Sequence, residues 1–202
     1  MPYRIAPIVE GHGEVRAVPE LLRRIIAELN PRASLEVCRP IRQARGSLLK
    51  AGGLERAVGL ATIEIQEQGA VLILLDSEGS CPADLAAEVL AREVQSRPDK
   101  NISIVLAHQE FEAWFLAAAS SLRGRCGLNE AIEDHDSPET VADCKGWLAR
   151  WKPAAFKYSE TVDQVALAAT FDLELAKRAR SFRKLYGEME RICHLAEASA
   201  AT

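Results

Sequence analysis

Carboxylate side chains follow three apolar segments of the chain, near the point where each segment ends. Glu10 directly follows YRIAPIV, and Asp76 directly follows AVLILL, with Glu78 two residues later. After the third segment, ISIVLA, come Glu110 and Glu112. Oxygen donors of this kind suit Mg²⁺ or Mn²⁺, which proteins hold through a few carboxylates together with water and phosphate. The pattern predicts a Mg²⁺ or Mn²⁺ site if the three segments are strands that end at one edge of a sheet.

The spacing of Asp76 and Glu78 favours a shared ion. Residues two apart at a strand end point to the same side, so both carboxylates could meet one cation. Crowded carboxylates also raise one another's pKa unless a cation neutralises them. Taken alone, each acidic motif is equally well explained as a polar turn, so the prediction depends on the three segments together.

A glycine-rich segment separates Glu10 from the first predicted helix. Gly11 and Gly13 allow the backbone to approach a ligand closely, and His12 between them is a candidate substrate contact or an ordinary loop histidine. Glu14 is either a further metal ligand or a helix-start carboxylate favoured by the helix dipole.

Strands alternate with helices through about residue 108, which predicts an α/β fold with a mostly parallel sheet of about four strands flanked by helices. The AVLILL segment is apolar throughout and indicates a central strand buried on both faces. Pro7 removes a backbone donor and predicts a first strand that is edge-like or irregular, or one whose pairing begins late. The predicted strands cover residues 3–9, 35–41, 70–75 and 102–107, and the predicted helices begin near residues 15, 54 and 82.

After Phe111 the sequence is mainly helical, including FEAWFLAAASSL, TVADCKGWLARW and the tail from Thr161. We therefore divide the chain into an α/β core at residues 1–110 and a helical C-terminal extension at residues 111–202 that packs on the core. Phe111, Trp114 and Phe115 have the spacing of a helical face and are predicted to pack in the core.

Basic residues offer two candidate phosphate contacts. Arg42 and Arg45 lie in a glycine-punctuated loop that runs into a helix, which suits phosphate binding. Lys145 and Lys184 belong to later basic segments that could form a second patch near the acids. In both cases an ordinary solvated loop or helix face is the alternative.

The composition constrains the cellular location of the protein and the class of its binding partners. The 202 residues carry a net charge of -4, which argues against a broad basic nucleic-acid groove but leaves a local patch with metal open. No segment reaches the roughly 18 apolar residues of a spanning helix, and the first residues lack a secretory signal. We expect a cytoplasmic protein with no membrane partner, and the sequence leaves a homodimer open.

Two of these motifs resemble the Toprim domain of topoisomerases, primases and overcoming-lysogenization-defect-type nucleases. The likeness consists of Glu-Gly-x-x-Glu after the first strand and an acidic pair after a later one. VEGHGE, LLDSEGSCP, HQEFEAWFL and RARSFRKL together resemble a family of bacterial Toprim-like proteins known only as a domain of unknown function. The resemblance implies that Glu10 acts as general acid or base and that Asp76 and Glu78 bind magnesium. The chain departs from the pattern because Glu78 and Ser80 stand where Toprim domains have aspartate.

From the residues and the resemblance together we expect a Mg²⁺- or Mn²⁺-dependent phosphodiester hydrolase, a nuclease acting on DNA or RNA. The resemblance further implies work beside an ATPase partner in bacterial defence or repair. The alternative is an inactive Toprim-like module that binds nucleic acid or a partner ATPase without cleaving.

Overall fold

A five-stranded sheet forms the centre of the computed structural model, which describes residues 1–77, 84, 87 and 97–201. All strand pairings in the described residues are parallel. The outer strand on one side is split into β2 and β3, followed by β1, β4 and β5. The strands are β1 (Tyr3–Val9), β2 (Leu35–Val37), β3 (Ile41–Arg42), β4 (Gly69–Asp76) and β5 (Asn101–Ala107).

Helices flank the sheet and make up most of the regular structure after β5. They are α1 (Glu14–Leu29), α2 (Arg45–Leu48), α3 (Gly53–Ile65), α4 (Ala113–Ala117), α5 (Cys144–Arg150), α6 (Asp163–Ala168), α7 (Leu173–Ala176) and α8 (Arg180–Ala200). The predicted α/β fold with a mostly parallel sheet and a helical C-terminal section is confirmed. The helix predicted from residue 82 falls outside the described residues, apart from residues 84 and 87.

The expectation of an edge-like first strand was wrong, because β1 pairs on both sides. The amide of Cys38 donates to the carbonyl of Ile5 (2.8 Å), and that of Gln43 donates to the carbonyl of Val9 (2.9 Å). Pro7 lies midway between these two contacts, and alternate residues of a strand direct their backbone groups to the same side. The missing N–H therefore falls at the break between β2 and β3, where it removes no ladder hydrogen bond. A central strand tolerates proline here because its neighbour is interrupted.

The sheet is buried on both faces. All eight residues of β4 are buried, which confirms the predicted central strand. Alternate strand residues divide between two hydrophobic clusters, as the two-residue period of a strand requires. One cluster joins β-strand residues such as Leu72 and Leu74 to α1, α4 and α8, and the other joins Val71 and Ile73 to α3.

The predicted core packing of Phe111, Trp114 and Phe115 is confirmed, since each is at most 1% exposed. The Phe111 ring lies 4.7 Å from that of Trp114, and Trp114 meets Phe182 edge-on at 5.4 Å. Because Phe182 belongs to α8, the C-terminal helices and the sheet share one hydrophobic core. Among the described residues, no helix combines the length and apolar character needed to cross a bilayer.

Candidate functional site

A polar pocket of about 230 Å³ lies at the carboxyl edge of the sheet. Because β1 and β4 are parallel neighbours, Glu10 after β1 and Asp76 at the end of β4 emerge at the same edge. In open parallel sheets this edge is the usual position of a functional site. The pocket is lined by Glu10, Gly11, Glu14, Ala44, Arg45, Asp76, Lys145, Glu160 and Gln164.

Asp76 is anchored to the turn after β5. Its Oδ1 accepts a hydrogen bond from the backbone N–H of Phe111 (2.8 Å), and the next residue, Ser77, accepts one through Oγ from the N–H of Gln109 (3.0 Å). The guanidinium of Arg45 donates to the backbone carbonyls of Asp76 and Ser77. These contacts fix the Asp76 carboxylate at the pocket and hold the Arg45 guanidinium against the backbone at the end of β4.

The surroundings of Asp76 disfavour its ionised form. Burial, followed by the nearby carboxylates of Glu14, Glu112 and Glu10, raises the pKa of Asp76 well above its usual value. The crowding expected from the sequence is therefore present at this edge.

Glu14 is both a helix-start residue and a pocket residue. Its Oε2 accepts hydrogen bonds from the backbone N–H groups of Glu10 and Gly11, each at 3.2 Å. Burial and the nearby carboxylates of Glu10 and Glu112 raise the pKa of Glu14 to about 7, although these two backbone donors oppose the shift. One carboxylate thus closes the turn after β1 and faces the pocket.

Gly13 is required by the protein's own packing. A Cβ at this position would lie 2.1 Å from Oε1 of Gln164 and 2.3 Å from the backbone oxygen of Glu160. The sequence predicted that a ligand approaches the backbone closely at Gly13. In the structure, Gln164 and Glu160 of the C-terminal section occupy that space. Gly11, in contrast, lines the pocket itself.

Lys145 lies among three glutamates. Its Nζ is 3.4 Å from Oε1 of Glu110, 3.3 Å from Oε1 of Glu160 and 3.9 Å from Oε2 of Glu112. Burial alone would lower the pKa of Lys145, but these carboxylates outweigh burial and raise it. Oε2 of Glu110 also accepts hydrogen bonds from the backbone N–H groups of Cys144 and Lys145 at the start of α5. Glu110 and Lys145 therefore join the turn after β5 to the C-terminal section.

Glu112 is fully buried behind the pocket. Its Oε1 accepts hydrogen bonds from the hydroxyl of Tyr158 (2.9 Å) and from Nε2 of Gln164 (3.2 Å). Burial raises the pKa of Glu112 to about 7, against the opposing effects of Lys145 and Tyr158. Glu112 does not line the pocket, but it accepts a hydrogen bond from Gln164, which does.

The remaining residues predicted to belong to the site do not line the pocket among the described residues. Arg42 donates through its guanidinium to the backbone carbonyl of Glu10 (3.3 Å), while His12 is exposed and is not among the pocket-lining residues. Lys184 lies on α8, pairs with Glu188 and borders a separate depression beside β5. Glu78 lies outside the described residues.

The pocket contains oxygen donors of the kind that a divalent cation binds. Glu10, Glu14 and Asp76 are the lining residues that would hold it, and all three are oxygen donors. Burial first, and neighbouring carboxylates second, raise the pKa of Glu14 and of Asp76, and a bound cation would oppose both effects. As the side chains are placed, however, no three Asp, Glu, His or Cys residues in the described part of the chain are arranged so that they could hold a metal ion together.

Sequence reasoning missed Glu160, Gln164 and Tyr158. All three come from the C-terminal section, far along the chain from the strand ends, and no local spacing links them to the acids. The packing of the C-terminal section against Gly13 brings Glu160 and Gln164 to the pocket, while Tyr158 contacts Glu112 behind it.

Comparison with known proteins shows the family of the chain. No curated protein and no solved structure matches it. One family model matches residues 9–190, a span that contains every described residue of the pocket. The chain therefore belongs to the family described as Domain of unknown function (DUF4276).

Proposed function

We propose that this protein is a Mg²⁺- or Mn²⁺-dependent phosphodiester hydrolase that acts on DNA or RNA, in the manner of a Toprim nuclease. The observation that supports the proposal is the pocket at the carboxyl edge of the sheet. Carboxylates from the ends of two adjacent parallel strands line it together with an arginine and a lysine.

The charges of the pocket suit a cation and a phosphate together. Glu10, Glu14 and Asp76 supply the cation-binding oxygens, while Arg45 and Lys145 supply positive charge for a phosphate. A bound Mg²⁺ or Mn²⁺ would polarise the phosphate and lower the pKa of a coordinated water. In this proposal Glu10 accepts the proton of the attacking water, and Arg45 orients the phosphate from a guanidinium fixed by two backbone carbonyls.

The Toprim likeness supports the same assignment by resemblance only. Glu10 and Asp76 occupy the motif positions of the Toprim general acid or base and of the first metal-binding aspartate. The two departures from the motif, Glu78 and Ser80, lie outside the described residues. An ATPase partner and a role in bacterial defence or repair are also proposed from this likeness.

A second candidate function is a non-cleaving module that binds nucleic acid or a partner ATPase. The contacts of Lys145 favour it, because one ammonium group already lies among Glu110, Glu112 and Glu160. Such a built-in cation compensates part of the acidic charge without a metal.

A cleavage assay separates the two candidates. Plasmid DNA and RNA are incubated with the purified chain in Mg²⁺, Mn²⁺ or EDTA, using wild type and the Asp76→Asn variant. Asp136→Asn is the matched control, since its side chain is fully exposed and pairs only with Arg178 in the described contacts. The hydrolase proposal expects metal-dependent cleavage that Asp76→Asn abolishes and Asp136→Asn retains. Retention of nucleic acid by a wild type that never cleaves it would favour the second candidate.

A further inference from the structure

Gln164 is a buried polar residue of the pocket that the proposed chemistry does not yet use. It lies on α6, is 3% exposed, and lines the pocket beside the strand-end acids. Unlike those acids, it reaches the site from the helical C-terminal section.

The orientation of the Gln164 amide follows from its neighbour. Its Nε2 donates to Oε1 of Glu112, and an ionised carboxylate can only accept hydrogen bonds. The amide oxygen must then face the other way. It lies close to the Cα of Gly13, at the start of α1 where the pocket acids are held.

The amide oxygen of Gln164 has no hydrogen-bond partner among the described residues, although it is fully shielded from solvent. Buried acceptors without partners are rare because they lose hydration without compensation, and each requires an explanation such as a bound water or ion. No side-chain or backbone donor of the described residues reaches this oxygen, and a cation bound directly to it would satisfy it.

We propose that Oε1 of Gln164 is a direct oxygen ligand of a divalent cation held by Glu10, Glu14 and Asp76; this inference rests on the proposed function. Amide oxygens are suitable ligands for hard cations. A neutral ligand also completes a coordination shell without adding charge to a site where carboxylates already repel one another. The Gln164–Glu112 hydrogen bond holds this ligand in place, as outer-shell contacts commonly do at metal sites.

Two variants distinguish a role of Gln164 as a metal ligand from a purely structural role. Gln164→Met keeps the length of the side chain but removes the amide oxygen and the donor to Glu112. Tyr158→Phe, the matched control, removes the other donor to the same Glu112 oxygen and does not alter the pocket lining. Mn²⁺ is titrated into each full-length variant by calorimetry, and thermal unfolding is followed in EDTA.

The proposal expects the Mn²⁺ Kd of Gln164→Met to rise by about tenfold, while that of Tyr158→Phe stays close to wild type. In EDTA, Gln164→Met should lose less thermal stability than Tyr158→Phe, because it also removes a buried acceptor without a partner. Wild-type affinity in Gln164→Met would overturn the proposal.

Gln164→Glu provides a second test that keeps an oxygen at the pocket. We expect it to bind Mn²⁺ more tightly than Gln164→Met, and an affinity no higher than that of Gln164→Met would contradict the assigned role. Failure of the wild type itself to bind Mn²⁺ would remove the proposed cation site altogether. Equal binding by wild type and Gln164→Met would remove only the role of Gln164.

Discussion

Replacing Glu14 by glutamine should stabilise the protein at alkaline pH when no metal is present. Glu14 is buried and close to Glu10 and Glu112, so its ionised form is disfavoured in the folded state. Glutamine has nearly the same shape and keeps an oxygen that can accept from the backbone N–H groups of Glu10 and Gly11. The variant thus removes the charge and preserves the turn.

The magnitude follows from proton linkage. Folding raises the pKa of Glu14 from 4.5 to about 7, so the folded state binds more protons between these values and stability falls as pH rises through them. This shift corresponds to about 3 kcal/mol in the free energy of unfolding. The opposing effect of the two backbone donors is already contained in this shift. We expect Glu14→Gln to gain about 3 kcal/mol near pH 8 and about 1 kcal/mol or less near pH 5.

Urea unfolding in EDTA, followed by tryptophan fluorescence, measures this difference at both pH values. Glu20→Gln is the control on the same helix, because its ion pair with Arg23 is at the surface and should contribute little at either pH. A Glu14→Gln variant less stable than wild type near pH 8, or an equal difference at both pH values, would refute the reasoning.

Two further predictions concern the C-terminal section. Lys152→Met should lower the free energy of unfolding by about 3–5 kcal/mol, because it leaves Asp163 buried without the ammonium 2.7 Å away; Lys157→Met, at an exposed position, is the control. Gly13→Ala should cost about 1–3 kcal/mol, since its Cβ would lie 2.1 Å from an amide oxygen. Gly59→Ala, within α3 and with no atom within 4 Å of the added Cβ, should instead gain about 0.5–1 kcal/mol. Urea unfolding measures all four variants, and equal effects within either pair would contradict these assignments.

The sequence predicted the sheet because its strongest signal is local. The apolar run of β4 requires burial on both faces, and the alternation of strands with helices requires parallel pairing. The position of β1 could not be predicted from Pro7, since the effect of a missing donor depends on the neighbouring strand. That strand is interrupted opposite Pro7, which depends on tertiary structure.

The candidate site was predictable where it depends on strand ends and not where it depends on packing. Glu10 and Asp76 come together because parallel strands direct their carboxyl ends to one edge. Gln164 and Tyr158 reach the same region through helix packing, which leaves no fixed spacing in the sequence. Lys145 was predicted from its charge alone, but its three glutamate neighbours come from two distant segments.

The most direct test of the central claim is a crystal of the protein soaked in Mn²⁺ and measured for anomalous scattering. We expect an anomalous peak in the pocket, within ligand distance of carboxylate oxygens of Glu10, Glu14 or Asp76, and its loss in Asp76→Asn crystals. A pocket without a peak at saturating Mn²⁺, or a peak that persists unchanged in Asp76→Asn, would contradict a cation site built from the strand-end acids.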